Sequence, residues 1–148
     1  MKTLEFKITI DAPKEKVWQT LWDDKSYREW ANVFCEGTYA ESNWNEGDVI
    51  LFLTPDGMGM NSVISKKVEN DYMAFKHLSE IKDFNVLPVG TSEQGWSDAM
   101  ETYRLTSTER GTLLEGTMDM VEKYIEYFEE VYFIFVKFFR GWKTLIER

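Results

Sequence analysis

The one histidine of the chain, His77, stands in a stretch, Tyr72 to Ser79, whose alternation places Met73, Phe75 and His77 on one face of a strand. The stretch Ala99 to Thr106 does the same for Ala99, Glu101, Tyr103 and Leu105. A carboxylate among apolar neighbours requires a partner, because burying a lone charge is costly. His77, Glu101 and Tyr103 therefore form a candidate polar anchor in otherwise apolar surroundings. The competing reading puts His77 in solvent or in a satisfied core position, with Glu101 paired to a surface lysine. Histidine with carboxylate also suits general acid and base chemistry, which makes His77 and Glu101 the candidate catalytic pair. No serine or cysteine nucleophile motif accompanies them, so the expectation is binding rather than catalysis.

Other chemistries find less support. One histidine and one cysteine, far apart in sequence, are no zinc pattern, and neither metal nor cofactor is expected. Cys35, beside Phe34 at an expected strand start, reads as a buried structural thiol. The glycines around Met58 lack the lysine and the strand-to-helix setting of a phosphate loop.

The elements that must hold these residues follow from periodicity. Leu4, Phe6, Ile8 and Ile10 alternate with Thr3, Glu5, Lys7 and Thr9 as in a strand with one buried face. Asp11 offers a helix-capping oxygen, Pro13 suits a first turn, and Val17, Trp18, Leu21 and Trp22 recur at helical spacing. Asp23, Asp24 and Ser26 re-cap the chain for a second short helix carrying Tyr27, Trp30 and Ala31. From Phe34 to Met120, six strand-like stretches are parted by turns at 45–48, 55–57, 69–71 and 109–111. The aperiodic stretch Glu80 to Ser97 is a candidate lid; its Trp96 either closes a mouth or ties the loop to the body. Asp119 and Glu122 read as a capping box. Beyond it Tyr124, Phe128, Val131, Phe135, Phe138, Trp142 and Leu145 recur at helical intervals, which predicts one terminal helix of ~26 residues, roughly 39 Å long. Phe133 or Ile134, on the outer face of that helix, suits a second subunit, and Gly141 marks a bend.

This order, with Ile10-Asp11-Ala12-Pro13-Lys14-Glu15-Lys16-Val17-Trp18 and then Trp30, resembles the START-like (SRPBCC, helix-grip) superfamily. More narrowly, it is similar to bacterial homologues of the activator of the 90-kDa heat-shock protein's ATPase. The resemblance covers essentially the whole chain and implies one α+β domain over residues 1–148. In it a curved antiparallel sheet of about seven strands (β-α-α-β6-α) grips the long terminal helix and leaves a cavity open at one end. Residues expected on or around that cavity are Trp30, Phe52, Met60, Phe75, His77, Trp96, Glu101, Tyr103, Tyr124 and Phe128.

Bulk properties agree with a cavity protein. At 148 residues the chain can bury ~70% of its unfolded surface. Aromatic residues make up 16%, so many flat side chains need housing. A net charge of −9 disfavours nucleic acid and anionic membranes. The apolar run Val131 to Val136 is far below the ~20 residues that span a bilayer, and no secretory signal opens the chain; a cytoplasmic protein is expected. Three functions follow: carriage of a small apolar or aromatic ligand; a chaperone- or client-binding module, with a homodimer possible; or a cyclase- or hydrolase-type enzyme using His77 and Glu101.

Overall fold

A computed structural model describes residues 1–92 and 95–130. The chain runs β1 (Lys2–Ile10), α1 (Lys14–Trp22), α2 (Asp24–Ala31), β2 (Tyr39–Ser42), β3 (Val49–Leu53), β4 (Gly59–Val68), β5 (Tyr72–Lys82), β6 (Asn85–Val86), β7 (Met100–Thr108) and β8 (Gly111–Met120). A 3-10 turn, Glu122–Tyr124, leads into helical residues 125–130. All pairings are antiparallel, in the order β1-β8-β7-β5-β4-β3-β2, with β6 adding to β5. This is the α+β helix-grip fold. The continuation of the terminal helix through Leu145, the outer-face role of Phe133 and Ile134, and the bend at Gly141 lie outside the described residues.

β1 pairs along its length with β8, from Lys2 opposite Met120 to Ile10 opposite Thr112. Phe6 and Ile10 point into the core, as their alternation requires. Opposite Phe6 stands Gly116, and a Cβ there would lie 2.0 Å from the ring. The missing side chain lets the Phe6 ring lie over β8 and reach Tyr103 on β7, 6.2 Å away edge-on. Register shifts in β4 at Asn61/Ser62 and Ile64/Lys66 interrupt its ladder with β5; such bulges bend a strand and deepen the curl of the sheet.

α1 and α2 lie against the concave face through Val17, Trp18, Leu21 and Trp22, then Tyr27, Trp30 and Ala31. Trp30 Nε1 donates to the Leu21 carbonyl at 3.0 Å, tying the two helices together. Trp22 is the hub of the aromatic core, its ring 5.0 Å from Tyr103 and 5.3 Å from Phe75.

Several local expectations are corrected. Pro13, not Asp11, holds the capping position of α1, and no side chain caps it. Asp119 does not cap a helix: it belongs to β8, where its carboxylate accepts from Thr3 Oγ1 at 2.5 Å and the Met100 amide at 2.9 Å, and Val121 precedes the 3-10 turn without a side-chain cap. β5 runs to Lys82, three residues into the stretch read as lid, and β6 lies within that stretch. There Ser79, Glu80 and Ile81 are all buried, which hides the strand from a search for alternation. Cys35 is exposed rather than buried. After α2 the chain keeps helix-like turns, with Phe34 and Cys35 amides both bonded to the Ala31 carbonyl, so Phe34 packs inward and Cys35 turns out.

Candidate ligand cavity

Between α2, the concave sheet and the start of the terminal helix lies a cavity of about 320 Å³. That volume is at the lower end of the ~300–1,000 Å³ range of ligand pockets. α2 and the turn after it contribute Tyr27, Trp30, Ala31 and Phe34. The sheet contributes Phe52 from β3, Met60 from β4, His77 from β5, Glu101 from β7, and Met118 and Met120 from β8. Trp96, Tyr124, Tyr127, Phe128 and Thr38 complete the wall.

The aromatic rings there are paired. Trp96 stacks on Tyr124 with centroids 5.7 Å apart and planes inclined by 22°, joining the β5–β7 connection to the 3-10 turn. Phe34 and Phe128 stack at 6.2 Å and 20°, and Tyr127 donates its hydroxyl to the Phe34 carbonyl at 2.7 Å. The connection is held in turn by Ser92, whose Oγ donates to the buried Glu80 carboxylate at 2.8 Å and accepts from the Trp96 amide at 2.7 Å. Trp96 thus serves both as cavity wall and as anchor of its loop.

One polar cluster interrupts this apolar lining. Tyr103 donates its hydroxyl to Glu101 Oε1. Glu101 Oε2 stands 3.6 Å from His77 Nε2, and His77 Nδ1 lies 2.6 Å from Ser62 Oγ. Neighbouring-strand placement brings the four together: Phe75 pairs with Glu101, and Ser62 lies opposite His77 across the β4 bulge. The side chains of His77 and Glu101 keep only 12% and 17% of their exposure. Burial, then the charge of Glu101, then its hydrogen bond, push the Tyr103 phenol well above its ordinary value; the charge of Tyr27 adds to this. Tyr27 is raised likewise, by burial first and Glu101 second. Both phenols therefore stay protonated beside a carboxylate.

Of the residues expected at the cavity, Trp30, Phe52, Met60, His77, Trp96, Glu101, Tyr124 and Phe128 stand on its wall. Phe75 and Tyr103 do not: both are fully buried in the core behind it, and Tyr103 reaches the cavity only through Glu101. Sequence reasoning missed Tyr27, Phe34, Met118, Met120 and Ser62. Tyr27 and Trp30 are three apart on one helix, a spacing that could have flagged Tyr27; Ser62 carries no such signal, because a bulge sets its partner.

Ser62, His77 and Glu101 have the residue types of a nucleophilic triad, but Ser62 is fully buried and outside the lining, so its oxygen cannot meet a substrate in the cavity. Its hydroxyl orients the imidazole. Among the described residues no three His, Cys, Asp or Glu side chains gather as metal ligands, and no helix is long and apolar enough to cross a membrane.

No family model and no curated protein matches the sequence. Solved structures do. The protein MLL2253 from Mesorhizobium loti superposes with a TM-score of 0.68 at 15% identity, over 99% of this chain and 98% of its own. The Aha1 dimer from Colwellia psychrerythraea gives 0.67 at 18%, over 92% and 91%. The protein ChR145 from Cytophaga hutchinsonii gives 0.65 at 22%, over 99% and 94%. At these identities the likeness is one of fold alone, the α+β helix-grip arrangement described above.

Proposed function

We propose that this protein, as one START-like domain, binds a small apolar or aromatic molecule in the cavity between its sheet and terminal helix. The supporting observation is the cavity itself: about 320 Å³, walled by aromatic and methionine side chains, with one polar cluster to orient an occupant. Methionines 60, 118 and 120 supply adaptable contact. Binding of a ligand at a hundredfold excess over its Kd stabilises a fold by about 2.7 kcal/mol, or roughly 5–10 °C at this chain length. A thermal-shift screen of small aromatics should find such compounds, and the shift should vanish in the cavity-filling variants Phe128→Trp and Ala31→Phe. A shift that survives both, or a screen in which no compound stabilises, would overturn the reading.

A second reading, as a chaperone- or client-binding module of the heat-shock ATPase activator type, draws on the fold shared with the Aha1 dimer and on exposed apolar side chains around β6, namely Phe84, Val86 and Val89. In this reading Phe84→Glu abolishes capture of a purified chaperone and leaves ligand stabilisation intact; undiminished capture would count against it.

A further inference from the structure

The cavity also bears on what kind of head group its occupant has. Glu101 is the only acidic or basic side chain on the wall among the described residues, apart from the imidazole of His77; no lysine or arginine lines it. Lys123 lies over the Tyr124 ring, 5.1 Å from its centroid, and is not part of the wall. One oxygen of Glu101 accepts the hydrogen bond of the Tyr103 hydroxyl. The other stands 3.6 Å from His77 Nε2, beyond hydrogen-bond range, and so keeps acceptor capacity. Tyr27 is buried on the same wall, close enough to feel the charge of Glu101.

This arrangement offers an acceptor that carries negative charge and, in Tyr27, a group that both donates and accepts. We infer that the occupant carries a hydrogen-bond-donating head, a hydroxyl or an amine, that meets Glu101, and that a carboxylate head is rejected. A carboxylate would have to sit beside Glu101 with no lysine or arginine on the described wall to offset the like charge, which costs a complex dearly. The net charge of −9 acts in the same direction at longer range.

This rests on the cavity-binding reading, and one probe series separates the two. Calorimetric affinities are measured at pH 7 for naphthalene, 1-naphthylmethanol, 1-naphthylmethylamine and 1-naphthoate, which share one apolar body. The alcohol and the amine are expected to bind, and 1-naphthoate to bind more weakly than the alcohol by about tenfold or more. In Glu101→Gln the gap should close through a gain by the acid. Naphthoate binding as tightly as the alcohol to the parent protein overturns the inference and leaves the cavity reading standing. A gap that persists in a folded Glu101→Gln protein overturns the assignment to Glu101. If the variant does not fold, the comparison of acid with alcohol on the parent protein decides alone. Failure of all four probes, naphthalene included, removes the cavity reading and this inference with it.

Discussion

At the scale of single residues, the buried polar atoms of the core are unequal in a way that stability measurements resolve. Trp30 Nε1 has the Leu21 carbonyl, whereas Trp22 Nε1 is buried with no hydrogen-bond partner among the described residues. Leaving a buried acceptor unmet costs about 1–3 kcal/mol, while removing an already unmet donor costs nothing of that kind. Trp30→Phe should therefore lose about 1 kcal/mol more than Trp22→Phe in urea unfolding; equal losses would contradict the assignment. Tyr27 and Tyr103 supply a second test, in pH. Their folded values lie well above 10.0, so above that pH the unfolded chain gives up phenolic protons that the folded chain keeps. Stability from these groups is complete below pH 10 and falls as pH rises beyond it, by at most about 1.4 kcal/mol per pH unit for each phenol. Tyr103→Phe should flatten that decline. The anchor was partly legible in the sequence, because alternation alone put His77 with Phe75 and Glu101 with Tyr103. It could not show that Tyr103 bonds to Glu101 from behind the wall, nor that Ser62 meets His77, since a bulge changes which residues face one another.

At the scale of elements, the connection between β5 and β7 meets the 3-10 turn through the stacked pair Trp96 and Tyr124, both on the cavity wall. Trp96→Ala removes that contact while leaving the Glu80–Ser92 hydrogen bond, so dissociation of a bound ligand should quicken by about tenfold with a loss of stability under about 1.5 kcal/mol. Stopped-flow displacement reads the rate, and an unchanged rate would mean that ligands leave elsewhere. At β8, Gly116→Ala would drive a methyl group into the Phe6 ring; overpacking of this kind costs about 1–3 kcal/mol, measurable as a lower melting temperature. Element types were the most legible part of the molecule: β1, α1 and α2 fall where alternation and helical spacing put them. Their ends were less so. Asp11 and Asp119 have capping chemistry, but bends and strand pairing claim those positions, and the three consecutive buried residues from Ser79 to Ile81 conceal the last turn of the pleat in β5.

At the scale of the whole molecule, the sheet joins the first and last of its strands in sequence, with Lys2 paired to Met120. Such non-local pairing must overcome a large loop-closure entropy before any contact rewards it, which slows folding to the millisecond-to-second range. Tryptophan fluorescence after dilution from denaturant should show this, and a microsecond phase carrying the full amplitude would conflict with the topology. The order of elements along the chain could be read from the sequence, and the turns suggest the antiparallel hairpin neighbours of β2 to β8, whereas the closing β1–β8 pair has no local signature. The outward turn of Cys35 has a practical consequence. It is the only thiol of the chain, it is exposed, and it adjoins Phe34, whose ring lines the cavity and whose carbonyl receives the Tyr127 hydroxyl. A maleimide dye would attach there and nowhere else, so the native protein already holds a one-site handle for an optical sensor that reports filling of its own interior.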